Sequence, residues 1–196
     1  MNWAGRLLKR ARWTFAVNLD MPDKCVICVA PHTSNWDFIL GEISIRSVGK
    51  SAHFLMKDTW FKFPLGPIMR RIGGIPVKRS RHTHVTDSVV NEFNSNSHLW
   101  VAVTPEGTRS ANPNWHKGFL HIAQAAKVPV LLAYIDYAKR EVCIDREFEP
   151  TGDTDADIVT IKKYYASRTA KYPEKFTTGL EKQSNYATPQ PQRHPD

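Results

Sequence analysis

Three short stretches hold the residues with the most chemical potential. In HTSNWD, residues 32–37, a histidine precedes a carboxylate by five positions. A neutral imidazole can take the proton of a hydroxyl. A carboxylate beside it can hold the useful tautomer and stabilise the imidazolium that forms. Five positions apart, His32 and Asp37 face opposite sides of a strand and lie about 140° apart around a helix. They meet only if His32 occupies a turn and Asp37 the first turn of the next helix. The sequence favours that arrangement. Ser34 or Asn35 can cap a helix, and Ser34 with Asp37 three positions on matches a capping box. The competing explanation is purely structural: Asp37 complements the helix dipole and His32 is a loop histidine satisfied by backbone. Ser34 lacks the G-x-S-x-G turn that exposes a nucleophile, and a capping role accounts for it.

EGTRS, residues 106–110, reads as an anion site. Gly107 lets backbone approach a ligand closely. Arg109 supplies a planar fork matched to phosphate. Thr108 can donate a further bond, and Glu106 can brace an arginine or hold a hydroxyl. The alternative is a polar turn with a surface ion pair, worth little. The third stretch is VKRSRH, residues 77–82, where Arg79 follows the apolar run GIPV and clusters with Lys78 and Arg81. It offers a second anion contact or a solvated charge run. His82 and His84 have no cysteine or carboxylate partner at metal-ligand spacing, so no metal site is expected.

These residues need elements to position them. Strands are predicted at 25–30, 52–57, 74–79, 99–104, 129–137 and 141–148, and helices at 35–48, 83–95, 117–127 and 156–172, with a proline-broken helix over 58–72. The alternation predicts one α/β domain with a mixed, largely parallel central sheet flanked by helices. The short Lys-Arg link before residue 141 makes the last two strands antiparallel. Ligands of such sheets sit beyond the carboxyl ends of the strands. HTSNWD, Arg79 and EGTRS each follow a strand directly, so one end of the sheet should gather His32, Asp37, Arg79, Glu106, Thr108 and Arg109. Cys25 and Cys28, three apart on a strand, should face opposite sides as separate buried thiols.

Residues 1–18 form the expected N-terminal segment, a basic amphipathic helix over 3–15. Trp3, Ala4, Leu7, Leu8, Ala11 and Phe15 share one stripe, and Arg6, Lys9, Arg10 and Arg12 lie mostly away from it. Such a helix suits an anionic membrane interface. Residues 19–180 are the α/β domain, and the Pro/Gln-rich residues 181–196 are expected to be a disordered tail. Net charge is +8, from 27 Lys and Arg against 19 Asp and Glu, which points to an anionic partner. Nucleic acid is set aside for want of a matching motif. No apolar run approaches the roughly 18 residues of a membrane span, and no signal-peptide pattern opens the chain. A cytoplasmic location, peripheral on the inner membrane face, is the expectation.

Together these residues resemble the glycerolipid acyltransferase family, which includes the 1-acylglycerol-3-phosphate acyltransferases. The H-x-x-x-x-D block is met by HTSNWD, and the block ending in arginine after a short strand by GGIPVKR. EGTRS stands unchanged, and the block starting Val-Pro at a strand is met by VPVLLAY. Order and separations agree from residue 32 to about 135. The resemblance implies that His32 is the general base and Asp37 its orienting partner. It implies that Arg79 binds the acceptor's phosphate, and that Glu106, Gly107, Thr108 and Arg109 form the acceptor and phosphate wall. It further implies an acyl-CoA or acyl carrier protein thioester as donor, a lysophospholipid such as lysophosphatidic acid as acceptor, a role in phospholipid biosynthesis, and no bound cofactor, metal or covalent intermediate. Two features depart from the family: Ala133 stands where many members carry a second proline, and no hydrophobic N-terminal hairpin is present. Other readings are transfer to a different membrane alcohol, hydrolysis of an acyl ester, and a non-catalytic module that binds anionic membranes.

Overall fold

A computed structural model describes residues 2–77 and 82–180. Its elements in chain order are α1 (Trp3–Arg10), β1 (Thr14–Val17), β2 (Lys24–Ala30), α2 (Asn35–Ser47), β3 (His53–Lys57), α3 (Leu65–Arg71), β4 (Gly74–Val77), α4 (His82–Ser95), β5 (Leu99–Val103), α5 (Gly118–Ala126), β6 (Val130–Asp136), β7 (Glu141–Phe148) and α6 (Thr154–Tyr165). Seven strands form one sheet in the order β1-β7-β6-β2-β5-β3-β4. All neighbouring pairs are parallel except β6 with β7. The sheet is thus mixed and mostly parallel, with helices packed on it.

The central strands are continuous apolar runs because both of their faces are covered. Cys28, Val101, Leu120, Leu132, Phe93 and Ile161 belong to one core, built with α4, α5 and α6. Cys25, Ile27, Leu131, Ile144 and the α2 residue Ile45 belong to the other. Cys25 and Cys28 therefore sit on opposite faces, as their spacing requires. Burial pushes both thiols up to about 12, so they pack as small apolar groups and are not reactive thiolates.

Two predicted elements end earlier than expected. The N-terminal helix stops at Arg10, and Thr14–Val17 is an edge strand parallel to β7. The Ala11 N–H closes the last turn on the Leu7 carbonyl and the Arg12 N–H on that of Lys9, and Arg12 adopts a φ of 58° that breaks the helix. Phe15 then leaves the helical stripe and packs on the second core. Ala4 and Leu8 are buried, whereas Trp3 and Leu7 are exposed. The last helix ends at Tyr165, not near residue 172. The chain beyond it is drawn away to the end of β6, where the Thr169 carbonyl accepts the Tyr137 N–H at 2.9 Å.

Register decides what meets at the sheet's carboxyl edge. Cys28 of β2 lies opposite Val103 of β5, so the next residues, Pro31–His32 and Glu106, emerge side by side. The chain leaves these adjacent strands in opposite directions along the sheet, from β2 towards β3 and from β5 towards β6. That is a topological switch point, where open α/β sheets bind ligands. Arg79 and residues 181–196 lie outside the described residues.

Candidate active site

Asp37 is placed by the start of α2. Ser34 is its N-cap, with extended backbone, and its Oγ accepts the Trp36 N–H at 3.1 Å. Asp37 Oδ2 returns the bond, accepting the N–H groups of Thr33 at 2.7 Å and Ser34 at 2.8 Å. This capping box answers the spacing puzzle. The turn before the helix folds back, and His32 Nδ1 comes within 3.7 Å of Asp37 Oδ2. That separation supports electrostatic attraction but is too long for a hydrogen bond; Oδ2 has two backbone donors as its hydrogen-bond partners. The other oxygen, Oδ1, accepts the Tyr137 hydroxyl at 2.7 Å.

Glu106 clamps the partner loop. It is buried, and its Oε1 accepts the backbone N–H of His32 at 2.7 Å. The loops after β2 and β5 are thereby tied together. Burial is the main cause that pushes the Glu106 carboxyl up to about 8; the His32 N–H opposes the shift and the nearby Asp37 charge adds to it. His32 moves the other way. Burial lowers its pKa, Asp37 pulls it back up, and Arg109 lowers it further. A neutral imidazole is thus the favoured form, as a proton acceptor requires.

Gly107 adopts a φ of 67°, and a Cβ there would lie 2.3 Å from Cδ2 of His116. Its immediate requirement is conformational. Thr108 and Arg109 are exposed; Thr108 Oγ1 accepts the Ser110 N–H, and Arg109 Nη1 donates to Asn35 Oδ1 at the first turn of α2. His32, Asp37, Glu106 and Arg109 are therefore gathered in one place. Arg79 belongs to the undescribed stretch after β4.

Sequence reading missed Tyr137, which closes the shell of Asp37. A signal existed: Tyr137 directly follows β6, the neighbour of β2, so it stands at the same carboxyl edge as the residues singled out. It also missed residues 171–172. The Tyr172 N–H donates to Thr33 Oγ1 at 3.3 Å, and Lys171 Nζ lies 5.2 Å from the Trp36 ring centre and 5.9 Å from that of Tyr137. This strap comes from the chain freed by the early end of α6. A concavity of about 500 Å³, lined by Val17, Met21, Ile45, His53 and Trp100, lies elsewhere and contains none of the HTSNWD or EGTRS residues. Among the described residues, no group of three or more His, Cys, Asp or Glu side chains is placed to hold a metal ion.

A family model described as Acyltransferase matches residues 14–135, which span every described residue of the His32–Asp37 and EGTRS blocks. Among solved structures, the chain is similar to the crystal structure of the 1-acyl-sn-glycerophosphate (LPA) acyltransferase PlsC from Thermotoga maritima. The TM-score is 0.53 at 16% sequence identity, over 95% of this chain and 80% of that one. At that identity the likeness speaks for the fold. No curated protein matches.

Proposed function

Because the chain belongs to the acyltransferase family, we propose that it moves a fatty acyl group from a thioester to a hydroxyl of a glycerolipid, with His32 as general base. The donor is acyl-CoA or acyl carrier protein, and the acceptor a lysophospholipid of the lysophosphatidic acid kind. The observation that carries this reading is the His32–Asp37 approach of 3.7 Å at the carboxyl edge of the sheet. Neutral His32 takes the acceptor's hydroxyl proton as the oxygen attacks the thioester carbon. The tetrahedral intermediate then collapses, the carbon–sulfur bond breaks, and the proton passes to the departing thiolate. Asp37 offsets the positive charge that His32 carries in between.

His32 can play this part because its backbone is fixed from one side by Glu106 and its ring is attracted from the other by Asp37. Catalytic contacts that are long in an empty site commonly tighten when substrate is bound. Arg109 is exposed on the same rim, where a guanidinium fork suits the acceptor's phosphate. Arg79, directly after β4 in sequence, is the second phosphate contact of the proposal, and Thr108 and Gly107 complete that wall. The proposal includes work at an anionic membrane surface, on its cytoplasmic side. The +8 charge and the exposed Trp3 and Leu7 of α1 support such a location.

The direct test is release of free thiol when the protein is mixed with acyl-CoA and lysophosphatidic acid. His32→Ala should lose roughly 10²- to 10⁴-fold in turnover while remaining folded. Unchanged thioester-dependent activity in that variant sinks the assignment. Thiol release that does not need the lysolipid would identify a hydrolase instead. No thiol release at all, with binding to anionic vesicles retained, would leave a membrane-binding module.

A further inference from the structure

The sharp corner between β3 and β4 has a surface that no intramolecular role explains. A 3-10 turn at Asp58–Phe61 runs into α3 through Lys62, Phe63 and Pro64. The corner is tightly wound. The Gly66 N–H bonds to the Lys62 carbonyl at 2.9 Å, and a Cβ on Gly66 would lie 2.1 Å from the Phe61 carbonyl oxygen. The same turn sorts its apolar side chains. Phe61 points inward, its ring edge against Gly74 and its face under Arg70 at 5.4 Å. Phe63, Leu65 and Ile68 point outward, 91%, 44% and 54% exposed. Single exposed apolar residues need no explanation, but three close in sequence on one tightly wound corner do.

Position and charge say what covers it. Phe54 of β3 is level with Ala102 of β5, and Ala102 with Ile27 of β2. Counting on, Asp58 is level with Pro31, so the corner stands at the same edge of the sheet as His32. The sequence holds no Asp or Glu between Asp58 and Asp87, yet carries Lys62, Arg70, Arg71, Lys78, Arg79 and Arg81 in that interval. An apolar tip in a stretch of sequence whose charged side chains are all cations matches a bilayer with anionic headgroups, where aromatic and aliphatic side chains enter the interface and lysines and arginines stay at the phosphates.

We propose that the corner formed by residues 62–68 is a membrane-docking element that inserts Phe63, Leu65 and Ile68 into an anionic lipid surface, turning the His32 edge of the sheet towards the lipid. It is separate from α1, and only its bearing on catalysis rests on the function proposed above. Exposed as these residues are, replacing them should leave folding intact. The test is co-sedimentation of the full chain with phosphatidylcholine vesicles containing about one-third phosphatidylglycerol, without donor or acceptor. The double variant F63S/I68S should bind at least roughly tenfold more weakly, with an unaltered melting temperature. The α1 variant W3S/L7S serves as comparison, and His32→Ala should bind like the unmodified protein whatever its activity. Vesicle binding that is unaffected by F63S/I68S, or absent from the unmodified protein, overturns the proposal. So does a concentration-dependent dimer, seen by gel filtration, that F63S/I68S abolishes, because a second copy would then be the occupant.

Discussion

The Tyr137 hydroxyl donates to Asp37 Oδ1 at 2.7 Å, joining the end of β6 to the first turn of α2 across 100 residues of sequence. Trp13 holds the tyrosine ring from its edge, with centroids 5.0 Å apart and planes at 83°. Burial and the Asp37 charge push the phenol well above its ordinary range, so it stays a donor. Tyr137→Phe keeps the ring and the Trp13 contact and removes only that bond. Stability should fall by about 1 kcal/mol. Because Asp37 keeps its two backbone donors, kcat should drop roughly tenfold with little change in acceptor KM. A variant that changes KM and leaves kcat intact would move Tyr137 from positioning Asp37 to binding the acceptor.

The pH dependence of kcat/KM should report the histidine. A general base works only when neutral, so the rate falls on the acid side through the pKa of His32. Burial lowers that pKa, with Arg109 acting in the same direction and Asp37 against it. The acid limb should thus lie below the ordinary histidine value of about 6.5. Arg109→Gln should move the limb upward and Asp37→Asn further down. Limbs that stay in place in both variants would show that another group titrates.

Glu106 makes a prediction about stability. Its carboxyl is raised from an ordinary value of 4.5 to about 8 in the folded protein. Between those values the folded state binds more protons than the unfolded state. Stability is therefore favoured at low pH and falls as pH rises through 8. Glu106→Gln keeps an oxygen to accept the His32 N–H and removes the titration. Thermal unfolding from pH 5 to 9 should show a decline in the parent protein that levels off above about pH 8, and a flatter profile in the variant. Parallel profiles would mean that Glu106 is ionised throughout.

Much of this site is legible in the amino-acid sequence. His32, Asp37, Glu106 and Arg109 follow strands or open a helix, and local rules of capping and strand alternation sufficed to bring them together. Other features depended on long-range structure. Thr14 and Phe15 fall within the helix expected over 3–15, Phe15 on its apolar stripe, and only pairing with β7, more than a hundred residues later, makes Thr14–Val17 a strand. Residues 166–172 carry helix-forming side chains, but the Tyr137–Thr169 backbone bond draws them to the sheet edge. Asn35 as the partner of Arg109, and Lys171 beside Trp36, join distant segments with no local signature.

The Gly107–His116 contact separates two reasons for a glycine in EGTRS. Backbone at φ 67° costs a side-chain-bearing residue about 1–2 kcal/mol. Independently, an alanine Cβ would press within 2.3 Å of the His116 ring. That ring is exposed, so it can give way or be removed. Gly107→Ala should destabilise the protein by about 2–4 kcal/mol, and His116→Ala alone by less than about 1 kcal/mol. If both terms operate, the double variant should recover about 1 kcal/mol or more relative to the sum, since His116→Ala removes the clash and leaves only the backbone strain. Because Gly107 links buried Glu106 to exposed Arg109, Gly107→Ala should also raise acceptor KM, and the double variant should restore part of it. Strict additivity in thermal unfolding would assign the whole requirement to φ and leave His116 without a part in shaping the loop.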